Sequence, residues 1–225
     1  MQARIIPLSS LHHPSPMTAA QSLPLALLAA YLLGSVPFAV IVSRGFGLKD
    51  PRSYGSGNPG ATNVLRSGNK LAALLTLLGD GAKGAVAVLL AHHFLAGQAL
   101  EPAMERIFLG GVALAVFFGH LFPVFLKFKG GKGVATAAGV LLALDPLLGL
   151  SVLGVWLVVA ALSRYSSLAA LCAAAASPLL AGMMWGFNLL VAAVAVMAMA
   201  LVGKHWVNIQ RLLAGQESKI GSKKK

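Results

Sequence analysis

The residues best suited to chemistry lie in Gly119-His120-Leu121-Phe122-Pro123-Val124-Phe125-Leu126-Lys127-Phe128-Lys129-Gly130-Gly131-Lys132-Gly133-Val134-Ala135-Thr136. Glycines let backbone N–H groups crowd around an oxyanion, and lysines supply the counter-charge. A helix opening at Val134 aims its positive dipole end at the same place. The stretch reads as a phosphate cradle, with Lys129, Gly130, Gly131, Lys132 and Gly133 as candidate ligands. It is not the nucleotide loop G-x-x-x-x-G-K-[ST]. Leu126 stands at the first glycine position of that pattern and Gly133 at the hydroxyl position. A flexible basic loop at a lipid surface is the plain alternative.

Three more polar stretches stand out. Residues 55–66 set Ser56, Asn58, Thr62 and Asn63 among glycines and end on Arg66. Amides and hydroxyls there can take the hydroxyl groups of a polyol phosphate, and the Arg66 fork can take its phosphate. Thr62 and Asn63 are expected to cap the helix that follows. The third stretch is Ser163-Arg164-Tyr165-Ser166-Ser167. The fourth holds His205 and Asn208, three apart on one helical face, beside Trp206 and Arg211. The last two read equally well as a tight basic connection and an interfacial tryptophan anchor.

The elements that position these stretches are apolar. Of 225 residues, 57% are hydrophobic and only 11% charged, too few charges to cover a soluble domain. Mean hydropathy is +0.80. Apolar runs are expected at 23–43, 71–95, 107–126, 134–144, 147–162, from 167 to 184, and from 189 to 202, separated by Gly-, Pro- and Asn-rich breaks. This predicts an all-α, polytopic integral membrane protein with seven transmembrane helices. Residues 1–22 read as a disordered extension, with His12-His13 unpartnered and Met17 a candidate start. Residues 23–205 form the membrane domain and 206–225 a basic cytoplasmic tail.

Charge supports the count. With seven spans, every Lys and Arg except Arg4, Lys83 and Arg106 falls on one side. That side is then cytoplasmic, with the amino end outside. The net charge of +12 has a topological explanation and needs no nucleic acid. Within the second run, Asp80 and Lys83 are three apart and are expected to pair inside the membrane. His92 and His93 read as interfacial. No His/Cys/Asp/Glu cluster has metal-ligand spacing, and Cys172 reads as a packing residue.

The set of motifs resembles the bacterial acyl-phosphate:glycerol-3-phosphate acyltransferases. The match runs through Gly34-Ser35-Val36-Pro37, residues 55–66, Asp80-Gly81-Ala82-Lys83-Gly84, residues 119–136 and Arg164-Tyr165-Ser166-Ser167-Leu168. It closes on His205, Asn208, Arg211-Leu212-Leu213 and Gly215-Gln216-Glu217. It covers about residues 23–220. Lys204 departs from the arginine the pattern expects, and the residues before Met17 have no place in it.

The resemblance implies a seven-helix enzyme of the bacterial cell (inner) membrane, with its active site on the cytoplasmic face. It implies acyl phosphate and glycerol 3-phosphate as substrates, membrane lipids as surroundings, no cofactor, and functional coupling to an acyl-phosphate-forming enzyme. His-x-x-x-x-Asp, the acid/base pair of other glycerol phosphate acyltransferases, is absent: Met17, Thr18, Gly97, Gln98, Phe125 and Gln210 stand five residues after the histidines. Catalysis is then expected from positioning and electrostatics. Lys129 and Lys132 would hold the acyl phosphate. Arg66, Ser56, Asn58, Thr62, Asn63, Ser167 and Asn208 would hold glycerol phosphate or the transferring phosphate. His120 is a candidate general base. Alternatively the donor phosphate takes the proton, with His120 and His205 as hydrogen-bond partners. Ala135, Ala137, Ala138 and Gly139 are expected to flank a slot for the acyl chain. The competing reading is a transporter of phosphorylated metabolites.

Overall fold

The computed structural model describes residues 19–221, which are all-helical with no strand among them. The amino-terminal tail through Pro16, His12-His13, Met17 and the final lysines lie outside that range. Helix α1 (Ala19–Gly34) opens four residues before the expected span. It breaks at Ser35-Val36-Pro37 and resumes as α2 (Phe38–Gly45). A proline at this point lacks the N–H that helix continuation needs. A loop then leads to the short α3 (Ala61–Leu65) and to α4 (Lys70–Leu95), whose start Asn69 caps by accepting from the Ala72 N–H at 2.9 Å.

Helix α5 (Pro102–Leu121) runs back and ends in a 3-10 turn at Val124–Leu126. After the glycine loop come α6 (Val134–Leu144), α7 (Pro146–Ser163), α8 (Ser166–Trp185), α9 (Leu189–Lys204) and α10 (Trp206–Leu213). Five segments are long and apolar enough to cross a membrane, or six when α9 and α10, bent by 59°, count as one. The chain is a multi-pass membrane protein. The expected fourth span is α6, only 11 residues long, which is too short to cross a bilayer as a helix by itself.

The shortness of α6 has a geometric consequence. Asp145 caps α7 by accepting from the N–H groups of Leu147 and Leu148, and it also accepts from Trp185 Nε1 at 3.0 Å. The far ends of α6 and α8 are therefore tied together. Thr136, in the first turn of α6, meets Asp80, ten residues after the start of α4, so α6 opens roughly 15 Å along α4 at 1.5 Å per residue. The glycine loop is sunk between the helix ends rather than laid on the surface.

Helix α6 is held against α4 by close backbone approach. A Cβ on Gly139 would collide with the Gly81 carbonyl oxygen, and one on Gly84 would collide with that of Thr136. Thr136 Oγ1 donates to the Asp80 carbonyl at 2.9 Å across the same contact. Small residues at a membrane helix interface permit such packing. Phe108, Val112, Val116, Phe117, Val88 and Val140 fill the core beside it.

Gly139→Val should therefore force α4 and α6 apart and cost roughly 1–3 kcal/mol of stability. A Cβ at Gly154 would meet nothing within 4 Å, so Gly154→Ala should leave stability unchanged or slightly raised. Thermal unfolding in detergent, followed by intrinsic fluorescence, checks both.

Candidate active site

The loop between α2 and α3 is folded by Asn63, which is 2% exposed. Its Nδ2 donates to the carbonyls of Pro51 at 2.6 Å and Tyr54 at 3.1 Å. Its Oδ1 accepts from the Ser56 N–H at 3.0 Å and from Arg66 Nη1 at 3.2 Å. The expectation that Asn63 caps α3 does not hold. Gly60 occupies the cap position, without a side-chain bond, and Asn63 points inward with its hydrogen bonding taken. Thr62 is not a cap either. Ser56, Thr62 and Arg66 are exposed around this knot and Asn58 is half-buried. Asn63 thus aims Arg66, whose Nη2 donates to Ser218 Oγ at 2.8 Å.

In the second loop, Lys127 and Phe128 take positive φ angles of 52° and 63°, and Gly133 one of 84°. These left-handed residues turn the chain sharply and bring Gly131 N–H onto the His120 carbonyl at 3.2 Å. Lys129 is exposed, while Lys132 is drawn in and donates from Nζ to Asn208 Oδ1. Burial pushes the Lys132 ammonium from its ordinary 10.5 down to about 8, against the pull of Glu217; Arg211 and Arg66 push the same way as burial.

Asn208 lies in α10, one turn past His205, and Ser167 lies in the first turn of α8. Both are buried, and both donate to one oxygen of Glu217: Asn208 Nδ2 at 2.7 Å and Ser167 Oγ at 2.8 Å. His205 is 3% exposed and its Nδ1 donates to the Leu201 carbonyl at 2.8 Å, which turns Nε2 away from that carbonyl. The segment after α10 is tied down at its other end as well. Ile220 N–H donates to the Arg164 carbonyl at 2.7 Å, and Arg164 Nη2 returns a bond to Ile220 O at 3.1 Å.

The structure thus joins Lys132, Asn208 and Ser167 through Glu217, and brings Arg66 to the same strap through Ser218. In the sequence, Glu217 stands out only as part of a family motif. A further signal is its isolation: with Asp50 it is one of two carboxylates among the expected cytoplasmic residues, and Asp50 is used on Arg52, 2.7 Å away.

Beside this polar cluster lies an apolar cavity of about 490 Å³ between α4, α6, α7, α8 and α9. Its walls include Ala135, Ala137 and Ala138, as expected, but not Gly139, which faces Gly81 instead. Thr62, Lys70 and Ser166 supply polar groups at its lining. Lys132 precedes the cavity-lining Val134 and Ala135 by two and three residues, so a charged head and an apolar tail of one ligand can be held by consecutive turns.

His120 lies in the last turn of α5. It is 7% exposed, with Nδ1 3.5 Å from Asp80 Oδ1. Asp80 pairs with Lys83 at 2.9 Å, and Lys83 Nζ also donates to the Val36 carbonyl at 2.9 Å. No group of three or more His, Cys, Asp or Glu side chains that could hold a metal occurs among the described residues.

The fold is a helical membrane bundle with a basic glycine loop beside an apolar cavity. The chain belongs to the glycerol-3-phosphate acyltransferase family, whose model matches residues 24–215. It is 64% identical over 201 residues to the glycerol-3-phosphate acyltransferase of Dechloromonas aromatica, covering 89% of this chain and 98% of that protein. It is 60% identical over 196 residues to that of Paraburkholderia phymatum, covering 87% of this chain and 91% of the relative. Among solved structures it resembles the glycerol 3-phosphate form of PlsY (YgiH), an integral membrane glycerol 3-phosphate acyltransferase, with TM-score 0.80 and 35% identity over 89% of this chain and 96% of that one. The lysophosphatidic acid form of that protein matches with TM-score 0.78 and 34% identity, with the same coverage.

Asn63→Ala should strip partners from Pro51, Tyr54, Ser56 and Arg66 together, at a cost of about 1–3 kcal/mol for each buried group left unpaired. Amide hydrogen exchange should rise across residues 51–66 and stay unchanged in α5, as read by mass spectrometry in detergent.

Proposed function

We propose that this protein transfers an acyl group from acyl phosphate to the 1-hydroxyl of sn-glycerol 3-phosphate, giving lysophosphatidic acid and phosphate. The observation that carries the reading is the junction of Lys132, held in the polar cluster, with the α6 turn that lines the 490 Å³ apolar cavity. We infer further that the chain crosses the bacterial inner membrane seven times, amino end outside, and works at the cytoplasmic face. The tie between the far ends of α6 and α8 through Asp145 and Trp185 supports counting α6 as one crossing. An acyl-phosphate-forming enzyme is the partner this donor implies.

In this reading Lys132, Lys129 and the N–H groups of Gly130 and Gly133 hold the donor phosphate, Gly131 serves the loop by its N–H bond to the His120 carbonyl, and the chain lies along Ala135 and Ala138. Arg66, with Ser56, Asn58 and Thr62, holds glycerol 3-phosphate; Ser167 and Asn208, both bonded to Glu217, position Lys132, and His205 keeps Nε2 as an acceptor for a glycerol hydroxyl. The glycerol hydroxyl oxygen attacks the acyl carbonyl carbon. The carbon–oxygen bond to phosphate breaks, and the departing phosphate oxygen takes the hydroxyl proton. The mixed anhydride is already activated, so no acyl-enzyme is required. Lys132 and the loop amides neutralise charge as it gathers on the carbonyl and phosphate oxygens.

Phosphate release by purified protein in detergent, with palmitoyl phosphate and glycerol 3-phosphate together, tests this directly. Release should need both substrates and should not occur with palmitoyl-CoA. Silence in a folded preparation, with uptake of labelled glycerol 3-phosphate into sealed vesicles, would replace the enzyme by a transporter.

Lys132→Ala should lower turnover by about 100-fold or more. The lowered Lys132 pKa fixes the sign of the pH dependence: the ammonium is lost as pH climbs through about 8, so kcat/KM, which reports the free enzyme, should fall there. Lys132→Arg keeps its charge at high pH and should move that limb upward, whatever its cost in absolute rate.

A further inference from the structure

Asp80, Lys83 and His120 sit in the interior with 3%, 3% and 7% exposure, at a depth where ionisable groups are costly to keep. They touch three of the places where a helix breaks near the site. Lys83 Nζ satisfies the Val36 carbonyl in the break between α1 and α2. The Asp80 carbonyl receives Thr136 in the first turn of α6. The Asp80 carboxylate meets His120 at the end of α5. His120 in turn underlies the glycine loop. Its carbonyl accepts from Gly131 N–H, and its ring lies so close beneath Gly131 that a Cβ there would collide with Nε2 and stand 2.9 Å from Cε1. The space beside the ring, shared with Asp80, Lys83 and Gly131, is about 10 Å³. That is room for about one water and none for a substrate.

We propose that Asp80, Lys83 and His120 form a positioning platform that sets the shape of the Gly130–Gly131 turn, and that His120 acts on the reaction only through this loop. One ring nitrogen is engaged with Asp80 and the other is roofed by Gly131, so the imidazole cannot meet a glycerol hydroxyl. What it does is fill. The flat ring holds Gly131 at a fixed height, and Lys132, the next residue, is thereby aimed at Asn208. A misplacement of the reacting groups by about 1 Å can cost about 100-fold in rate, so a spacer under the loop is a strong lever. The charged groups that bear on the ring are Asp80 and Lys83 from α4 and Lys204 from the end of α9.

The proposal rests on the acyltransferase reading for its kinetic readout only, and its test is a suppression experiment on the full chain in detergent. Gly131→Ala drives a methyl into the ring and should lower kcat/KM by about 100-fold. His120→Asn removes Cε1 and Nε2 while keeping a polar atom near the Nδ1 position toward Asp80. Combining the two should recover at least about 10-fold of the Gly131→Ala loss. Gly130→Ala is the control, because its methyl would collide with the His120 carbonyl oxygen, which His120→Asn does not move; no recovery is expected there.

His120→Asn alone should raise KM more than it lowers kcat and should leave the pH limbs where wild type has them. Its amide exchange across residues 127–133 should rise. A double variant no better than Gly131→Ala would overturn the platform. So would a His120→Asn enzyme whose acidic pH limb disappears with a loss of about 100-fold or more in kcat, the mark of a general base. Exchange needs no catalysis. If wild type proves inactive with acyl phosphate, the functional reading falls, while unchanged loop exchange in His120→Asn would sink the platform independently.

Discussion

The buried pair Asp80–Lys83 is the constraint on which the rest depends. Two unlike charges 2.9 Å apart in a bilayer-spanning helix are retained only where each has further work for its lone pairs and protons. Here each does. The pair satisfies the Val36 carbonyl and meets the His120 imidazole, and the Asp80 main-chain carbonyl accepts from the Thr136 hydroxyl, so it reaches the ends of three other helical segments, which are broken for a reason. Backbone that leaves the helix at membrane depth must find partners within the protein. Val36, in the α1–α2 break, finds Lys83, and Gly131, in the glycine loop, finds the His120 carbonyl. A chain that needs a sunken polar loop needs such a pair, and the pair makes little sense without the loop.

A second layer of order comes from the carboxyl-terminal strap. Glu217 gathers Asn208 from α10 and Ser167 from α8 on one oxygen, and Ile220 pins the far end of the strap to Arg164. A single carboxylate among many cations has a clear electrostatic preference for that place. Its charge also offsets part of the burial that weakens the Lys132 ammonium. Glu217 therefore works on Lys132 twice, by orienting Asn208 and by its own field.

Much of this was legible in the sequence because membrane helices announce themselves. The apolar runs at 71–95 and 107–126 fall on α4 and on α5 with its 3-10 turn. The Asp80–Lys83 spacing foretold an ion pair because lone charges in such a run are expensive. What could not be read was direction. Asn63 and Thr62 look alike as polar side chains before Arg66, yet one turns inward to tie the loop and the other stays outside. His120 carries the right intrinsic chemistry for a base, and only the fold shows that its ring lies against Gly131 and beside Asp80. Gly139 looks like its alanine neighbours until its approach to Gly81 is seen. In each case the deciding quantity is a contact between residues distant in sequence, which local spacing does not encode.

The short α6 shows why the polar and apolar halves of the site must be built together. A helix long enough to span alone would lift its first turn toward the start of α4 and leave the glycine loop in open solvent, where its ammonium groups would be fully hydrated. Sinking the loop partly dehydrates Lys132, which weakens its charge but strengthens whatever electrostatic contact it makes. It also sets the loop level with apolar walls rather than above them. The cavity then begins within two residues of Lys132, so an anionic head and a hydrocarbon chain can be bound without a gap between them. The cost is a non-helical backbone segment at depth, and the Asp80 platform is what makes that segment tolerable.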